Sequence, residues 1–192
     1  MVDCQVLLVT GYQPRELSIF SGHHPGIRVI RYCLNDKIRD YVENGTKWIV
    51  ISGQAGIELW TGEVCLELKK DYPDLKLAVL IPFLHQEAHY SNWMQQSYAH
   101  VLAAADYTAA ISRRPYESPA QLRNKNRFLV AKTDGLLMVY DEEQPGSPDY
   151  FLRAARREAR RRPYPIRLID RFDLEEAAEE CREMNPDDWQ ET

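Results

Sequence analysis

Short, wholly apolar runs alternate along this chain with longer stretches in which apolar residues recur every three or four positions. Val6-Leu7-Leu8-Val9 is the first run, and four consecutive apolar residues suit a parallel strand buried on both faces. Thr10-Gly11-Tyr12-Gln13-Pro14 ends it with a turn. After a loop over 22–25, the spacing of Ile27, Ile30, Leu34, Ile38, Tyr41 and Val42 predicts a helix over 26–44, stopped by Asn44-Gly45. A second strand (48–51) and helix (56–71) follow, closed by Pro73, and then a third strand (75–81) ended by Pro82. The stretch 83–93 is polar and aromatic and fixes no conformation. Beyond it come a helix over 94–105, a strand over 107–111, a helix over 120–131 and a strand over 136–140. Pro145-Gly146-Ser147-Pro148 is a turn with Ser147 placed as an N-cap. A helix over 150–161, a strand over 166–169 and a helix over 174–182 complete the pattern. The tail after Met184 is acidic and expected to fray.

Strict alternation of apolar strands with amphipathic helices implies an α/β fold: a single-domain, Rossmann-like three-layer sandwich with a mostly parallel sheet. Residues 1–181 form that domain, and residues 182–192 form an acidic C-terminal tail. Ligands in such folds sit beyond the carboxyl ends of the strands, near the point where strand order reverses. That places 10–13, 52–58, 82–83, 112–116 and 141–147 around a site.

Composition narrows the function classes. At 192 residues, 44% apolar and 28% charged, the chain is an ordinary soluble globular protein with enough residues for a sizeable core. A net charge of −5 argues against a surface built for duplex nucleic acid. Cys4, Cys33, Cys65 and Cys181 form no C-x-x-C pair and are expected to be reduced and buried. Residues 2–10 hold no basic leader region, and no apolar run is long enough to cross a bilayer, so a cytoplasmic protein with no membrane partner is expected.

The usual phosphate motifs are missing. There is no G-x-x-x-x-G-K-[ST], and Thr-Gly-Tyr-Gln rather than G-x-G-x-x-G follows the first strand. A glycine turn instead follows the second strand, at Ser52-Gly53-Gln54-Ala55-Gly56. Such a turn brings backbone N–H groups to a helix N-terminus, where they can hold an anion; more plainly, Gly53 and Gly56 let the chain bend. Glu58, in the first helical turn, suits the helix dipole or could meet ribose hydroxyls and take part in acid–base chemistry. It is the one catalytic candidate. Trp60 and Trp93 are core residues or base-stacking surfaces. His85 and His89 stand one helical turn apart without a third ligand, His23-His24 is a loop pair, and no metal site is expected. The arginine run from Arg153 to Arg162 reads first as a solvated face, and second as a surface for nucleic acid or an acidic partner.

Several blocks together carry a family resemblance: Val9-Thr10-Gly11-Tyr12, Ile51-Ser52-Gly53-Gln54-Ala55-Gly56-Ile57-Glu58-Leu59-Trp60, Arg114-Pro115-Tyr116-Glu117-Ser118-Pro119 and Lys125-Asn126. With these the chain resembles the YpsA-like family of the SLOG superfamily from about Val6 to Asp173. That superfamily also holds the Lonely Guy phosphoribohydrolases and DNA-processing protein A. The resemblance implies a nucleotide or nucleotide-derived ligand at the glycine turn, and an association with cell division. Residues 50–58 are similar to a V-S-G-x-A-x-G-I-D segment of DNA-processing protein A, and Asn126-Arg127-Phe128 to its R-N-R segment. The phosphoribohydrolases carry P-G-G-x-G-T-x-x-E, whose glutamate lies four residues after the last glycine. Here Trp60 holds that place and Glu58 lies two residues after Gly56, which at about 100° per residue turns it to another face.

The expected function is therefore regulatory binding of a nucleotide-type small molecule, such as ADP-ribose, an NAD derivative or a nucleoside monophosphate. In that reading Ser52, Gly53, Gln54 and Gly56 hold phosphate, with charge from Arg113 or Lys125. Glu58 and Asn126 meet ribose or base edges, and Tyr12, Phe83 or Trp93 offers an aromatic surface. Gly11, Tyr116 and Ser147 complete the site from the other strand ends. No cofactor beyond such a ligand is expected, and self-association is left open. A nucleoside-monophosphate phosphoribohydrolase and a binder of single-stranded DNA are the alternatives.

Overall fold

The computed structural model describes residues 4–184. Six strands, β1 (Val6–Gly11), β2 (Trp48–Ile51), β3 (Lys76–Ile81), β4 (Tyr107–Ala110), β5 (Gly135–Val139) and β6 (Ile166–Ile169), form one sheet. Its order is β4-β3-β2-β1-β5-β6, with every neighbouring pair parallel. The chain builds outward from β1 to β4 and then returns to the other side of β1. Leu8 pairs with Val50 on one side and with Leu136 on the other, so the central strand has partners on both edges and helices above and below. That is why its apolar run is unbroken.

The helices are α1 (Pro25–Glu43), α2 (Ile57–Leu68), α3 (Asn92–Ala104), α4 (Ala120–Ala131), α5 (Asp149–Ala159) and α6 (Arg171–Met184). α1 packs against α2 and α6, and α2 against α3, whereas α4 packs against α5. The sheet lies between these two sets, giving a Rossmann-like three-layer α/β sandwich. α2 is apolar nearly all round, with Ile57, Leu59, Trp60, Val64 and Cys65 at most 2% exposed, because it lies between the sheet and two helices. Trp60 is thus a core residue. All four cysteines are free and buried. No helix among the described residues is long and apolar enough to cross a membrane.

Several boundaries differ from the sequence expectation for local reasons. β1 continues through Thr10 and Gly11, which pair with Met138 and Val139 of β5; long-range pairing extends the strand past its apolar run. Proline opens α1 at its first position, behind His24, whose Nδ1 accepts the Gly26 N–H at 3.0 Å. Short 3-10 turns fill Pro14–Leu17 and Gln86–His89. Ser147 is not an N-cap. Pro148 holds that position with no side-chain bond, and the Ser147 hydroxyl is drawn away to Glu16 at 2.8 Å. α6 reaches Met184, and the tail expected beyond it lies outside the described residues.

Candidate ligand cavity and the turn beneath it

The turn after β2 is shaped by two glycines at positive φ, Gly53 at 75° and Gly56 at 92°. A Cβ on Gly56 would lie 2.7 Å from the Tyr12 carbonyl oxygen, so the turn can press against the loop after β1 only if glycine stands there. The Ile57 N–H donates to that same carbonyl at 3.2 Å. Within the turn, Glu58 folds back instead of facing outward. Its Oε1 accepts the Thr10 hydroxyl at 2.7 Å, and its Oε2 accepts the Ser52 N–H and hydroxyl at 2.7 Å and the Gln54 N–H at 3.1 Å. At 1% exposure this carboxylate occupies the place where a turn of this kind would hold a bound anion. Gln86 Nε2 donates to the Ser52 carbonyl at 2.7 Å and the Tyr90 hydroxyl to the Gly53 carbonyl at 3.1 Å. Burial, and then the Glu58 charge, push the Tyr90 phenol up, so it remains a donor.

Above the turn lies a cavity of about 440 Å³ at the carboxyl ends of β1, β2 and β3, within the range of about 300–1,000 Å³ typical of small-molecule sites. Thr10, Gly11, Ser52 and Gln54 form its floor, and Phe83, Tyr90, Tyr150 and Phe151 give it aromatic walls. α4 contributes Leu122, Arg123, Lys125 and Asn126, and the loop into α5 contributes Ser147.

Two adjacent side chains on α4 are buried in this cavity with polar atoms unmet. Lys125 is only 4% exposed and, among the described residues, makes no ion pair or hydrogen bond. Its ammonium instead lies 4.5 Å from the centre of the Phe151 ring. Burial pushes its pKa below the ordinary lysine value, with the Glu58 charge acting in the opposite direction. Asn126 is 8% exposed, and its Oδ1 has no hydrogen-bond partner. A cation without an ion pair and a buried acceptor without a donor, on two residues that line one concave space, suit a ligand carrying both an anion and a hydrogen-bond donor.

Of the residues expected at a site, Gly11, Ser52, Gln54, Phe83, Lys125, Asn126 and Ser147 line this cavity, and the others do not. Gly53 and Gly56 lie inside the turn, and Glu58 is buried under it. The Tyr12 hydroxyl donates to the Gln144 carbonyl at 2.6 Å and pins the loop after β5. Trp93 packs over Gly22. Arg113 is exposed in the loop after β4, and Tyr116 reaches the cavity only through an edge contact with Phe83, ring centres 5.2 Å apart. Sequence reasoning missed Arg123, Gln86, Tyr150 and Phe151. The signal for Arg123 was available: Pro119, Leu122, Arg123 and Asn126 recur at three- and four-residue steps, one face of α4. Half of the arginine run on and just after α5 is engaged in ion pairs: Arg153 with Asp149, Arg156 with Glu142 and Arg162 with Glu158. Among the described residues, no group of three or more histidine, cysteine or carboxylate side chains is gathered as a metal site.

Comparison with known proteins agrees with this architecture. Residues 7–174 match the model of the YspA SLOG family. A UPF0398 protein of Halalkalibacterium halodurans is 48% identical over 94% of this chain and 95% of its own length. A UPF0398 protein of Bacillus licheniformis is 46% identical over 92% and 97% respectively. Among solved structures, DNA processing protein A from Helicobacter pylori, described for its single-stranded DNA binding mode, superposes with a TM-score of 0.52 at 18% identity. It covers 94% of this chain and 75% of that one, a likeness of fold.

Proposed function

The chain belongs to the YspA SLOG family, and on that premise we propose that it binds a nucleotide or nucleotide-derived small molecule in the cavity above the β2 turn. The observation that carries this reading is the pair Lys125 and Asn126, both nearly buried and both lining the cavity, the ammonium without an ion pair and the amide oxygen without a hydrogen bond. A ribose phosphate meets both: its phosphoryl oxygens suit Lys125, with Arg123 at the rim, and its hydroxyls suit Asn126. The aromatic walls offer faces on which a base stacks.

The cavity suits binding without turnover, which fits a regulatory role. A phosphoribohydrolase needs a carboxylate aimed at the sugar, and Glu58 is committed to four donors under the floor. Single-stranded DNA is favoured by one observation: Arg157, Arg160 and Arg161 are exposed on and just after α5. The ion pairs made by their neighbours weaken that reading.

Mass spectrometry of the small molecule released when the purified protein is denatured tests the proposal. A compound containing a ribose phosphate is expected from the wild type and is expected to be absent from Lys125→Met. A released compound with no sugar phosphate, or equal recovery from the variant, would overturn it.

A further inference from the structure

Three donors from two loops converge on one exposed carboxylate at the rim of the cavity. The Gln13 N–H donates to Glu16 Oε2 at 2.8 Å, the Ser147 N–H to Oε1 at 2.6 Å and the Ser147 hydroxyl to Oε2 at 2.8 Å. Gln13 follows β1 and Ser147 follows β5, so the cluster straddles the place where strand order reverses, where ligands of such folds bind. Gln13 and Ser147 both line the cavity. Gly146 leaves room for the carboxylate, because a Cβ there would lie 2.6 Å from Glu16 Oε1. Two backbone N–H groups and a hydroxyl aimed at a pair of oxygens are a donor set that fits a phosphoryl group equally well.

Two further features of the cavity point to a ligand. The unpaired Lys125 ammonium lies over Phe151, in the first turn of the helix that Ser147 leads into. Asn126, nine-tenths buried, lines the same space and has an Oδ1 without a hydrogen-bond partner. Glu16, by contrast, is exposed on a four-residue 3-10 turn whose closing residue, Ser18, sits at φ 55°. Nothing buries it in place.

We propose that Gln13 and Ser147 form the anion subsite of this cavity, and that Glu16 is its built-in occupant, displaced when a ligand phosphoryl group arrives. This inference rests on the nucleotide reading of the cavity. The exchange keeps all three donors hydrogen-bonded in both states, with Glu16 in the free protein and with the phosphoryl oxygens in the complex. It also removes the bonds that tie the exposed 3-10 turn Pro14–Leu17 to the loop before α5, while Ile19 stays anchored in the core, so occupancy of the cavity is coupled to the mobility of that turn.

Calorimetric titration of the full chain and of Glu16→Ala with AMP, adenosine and inorganic pyrophosphate tests this. Removing the competitor is expected to tighten AMP and pyrophosphate by about tenfold, the worth of one hydrogen bond to a charged group, and to leave adenosine unchanged. In the wild type, AMP is expected to speed amide hydrogen exchange across 14–18. If Glu16→Ala does not fold, Glu16→Gln removes the charge at constant size and is read by the same AMP-to-adenosine ratio. An unchanged ratio in a folded variant overturns the displacement. AMP binding that is lost in Lys125→Met yet indifferent to Glu16 removes this inference and keeps the cavity. Failure of AMP and pyrophosphate to bind any form removes both.

Discussion

Glu58 and Ser52 are joined twice: Glu58 Oε2 accepts both the backbone N–H and the hydroxyl of Ser52, each at 2.7 Å. The glycine turn therefore carries its own anion. The positive charge that lines the cavity lies instead on α4, at Arg123 and Lys125. Glu58→Gln places an amide N–H₂ among groups that are themselves donors. A loss of about 3 kcal/mol of folding stability is expected, measured by urea denaturation. A variant as stable as the wild type would contradict an internal anion holding the turn.

Two glycines separate backbone strain from crowding. Gly45 and Gly56 both have positive φ, at 108° and 92°, but a Cβ on Gly45 meets nothing within 4 Å, whereas one on Gly56 lies 2.7 Å from the Tyr12 oxygen. Gly45→Ala is expected to cost about 1 kcal/mol and Gly56→Ala about 3 kcal/mol or more. Chemical denaturation of the pair measures the difference, and equal costs would mean that the turn does not press on the β1 loop.

Lys125→Met is expected to leave the empty protein as stable as the wild type or more stable, because an apolar isostere replaces a buried cation without a bonded partner. Burial lowers the Lys125 pKa in the folded state, so its charging penalty is present in full below that folded value. The penalty fades as pH rises from there towards the ordinary lysine value, and the wild type should gain stability across that window. Lys125→Met should lack this rise. Matching stability profiles of the two proteins on the alkaline side would contradict a buried, unpaired lysine.

The arginine run divides by partner rather than by position. Arg162 donates to the Val130 and Thr133 carbonyls, both at 2.8 Å, and lies 4.9 Å from the Tyr164 ring centre. Arg160 is exposed. Arg162→Ala is expected to cost about 1–2 kcal/mol, and Arg160→Ala less than about 0.5 kcal/mol, by thermal or urea unfolding. Equal effects would show that Arg162 does not cap α4.

Much of the fold is legible in local pattern, since the unbroken apolar run of β1, the three- and four-residue spacing in α1 and the nearly all-apolar α2 each follow from the burial that the sheet and its two layers impose. The phosphate-like turn was equally plain from Gly53 and Gly56. The cavity was less so, because its chemistry depends on partners far apart in the chain. Glu58 finds Thr10 forty-eight residues away, and Glu16 finds Ser147 across 131. Neither pairing leaves a periodic trace. Ser147 beside Pro148 has the local look of a helix cap, and only the approach of Glu16 redirects its hydroxyl. Tyr12 likewise looks like a ligand-facing aromatic after a strand, but in the fold its hydroxyl goes to the Gln144 carbonyl.

The most direct test of the account is a thermal-shift titration of the wild type and Lys125→Met with AMP, ADP-ribose, NAD and adenosine. At least one phosphate-bearing compound is expected to stabilise the wild type, by about 2.7 kcal/mol at a hundred times its dissociation constant. Lys125→Met should show no shift with that compound while melting no lower than the wild type in its absence. No stabilisation by any of these ligands, or an equal shift in the variant, would contradict a nucleotide site built around Lys125.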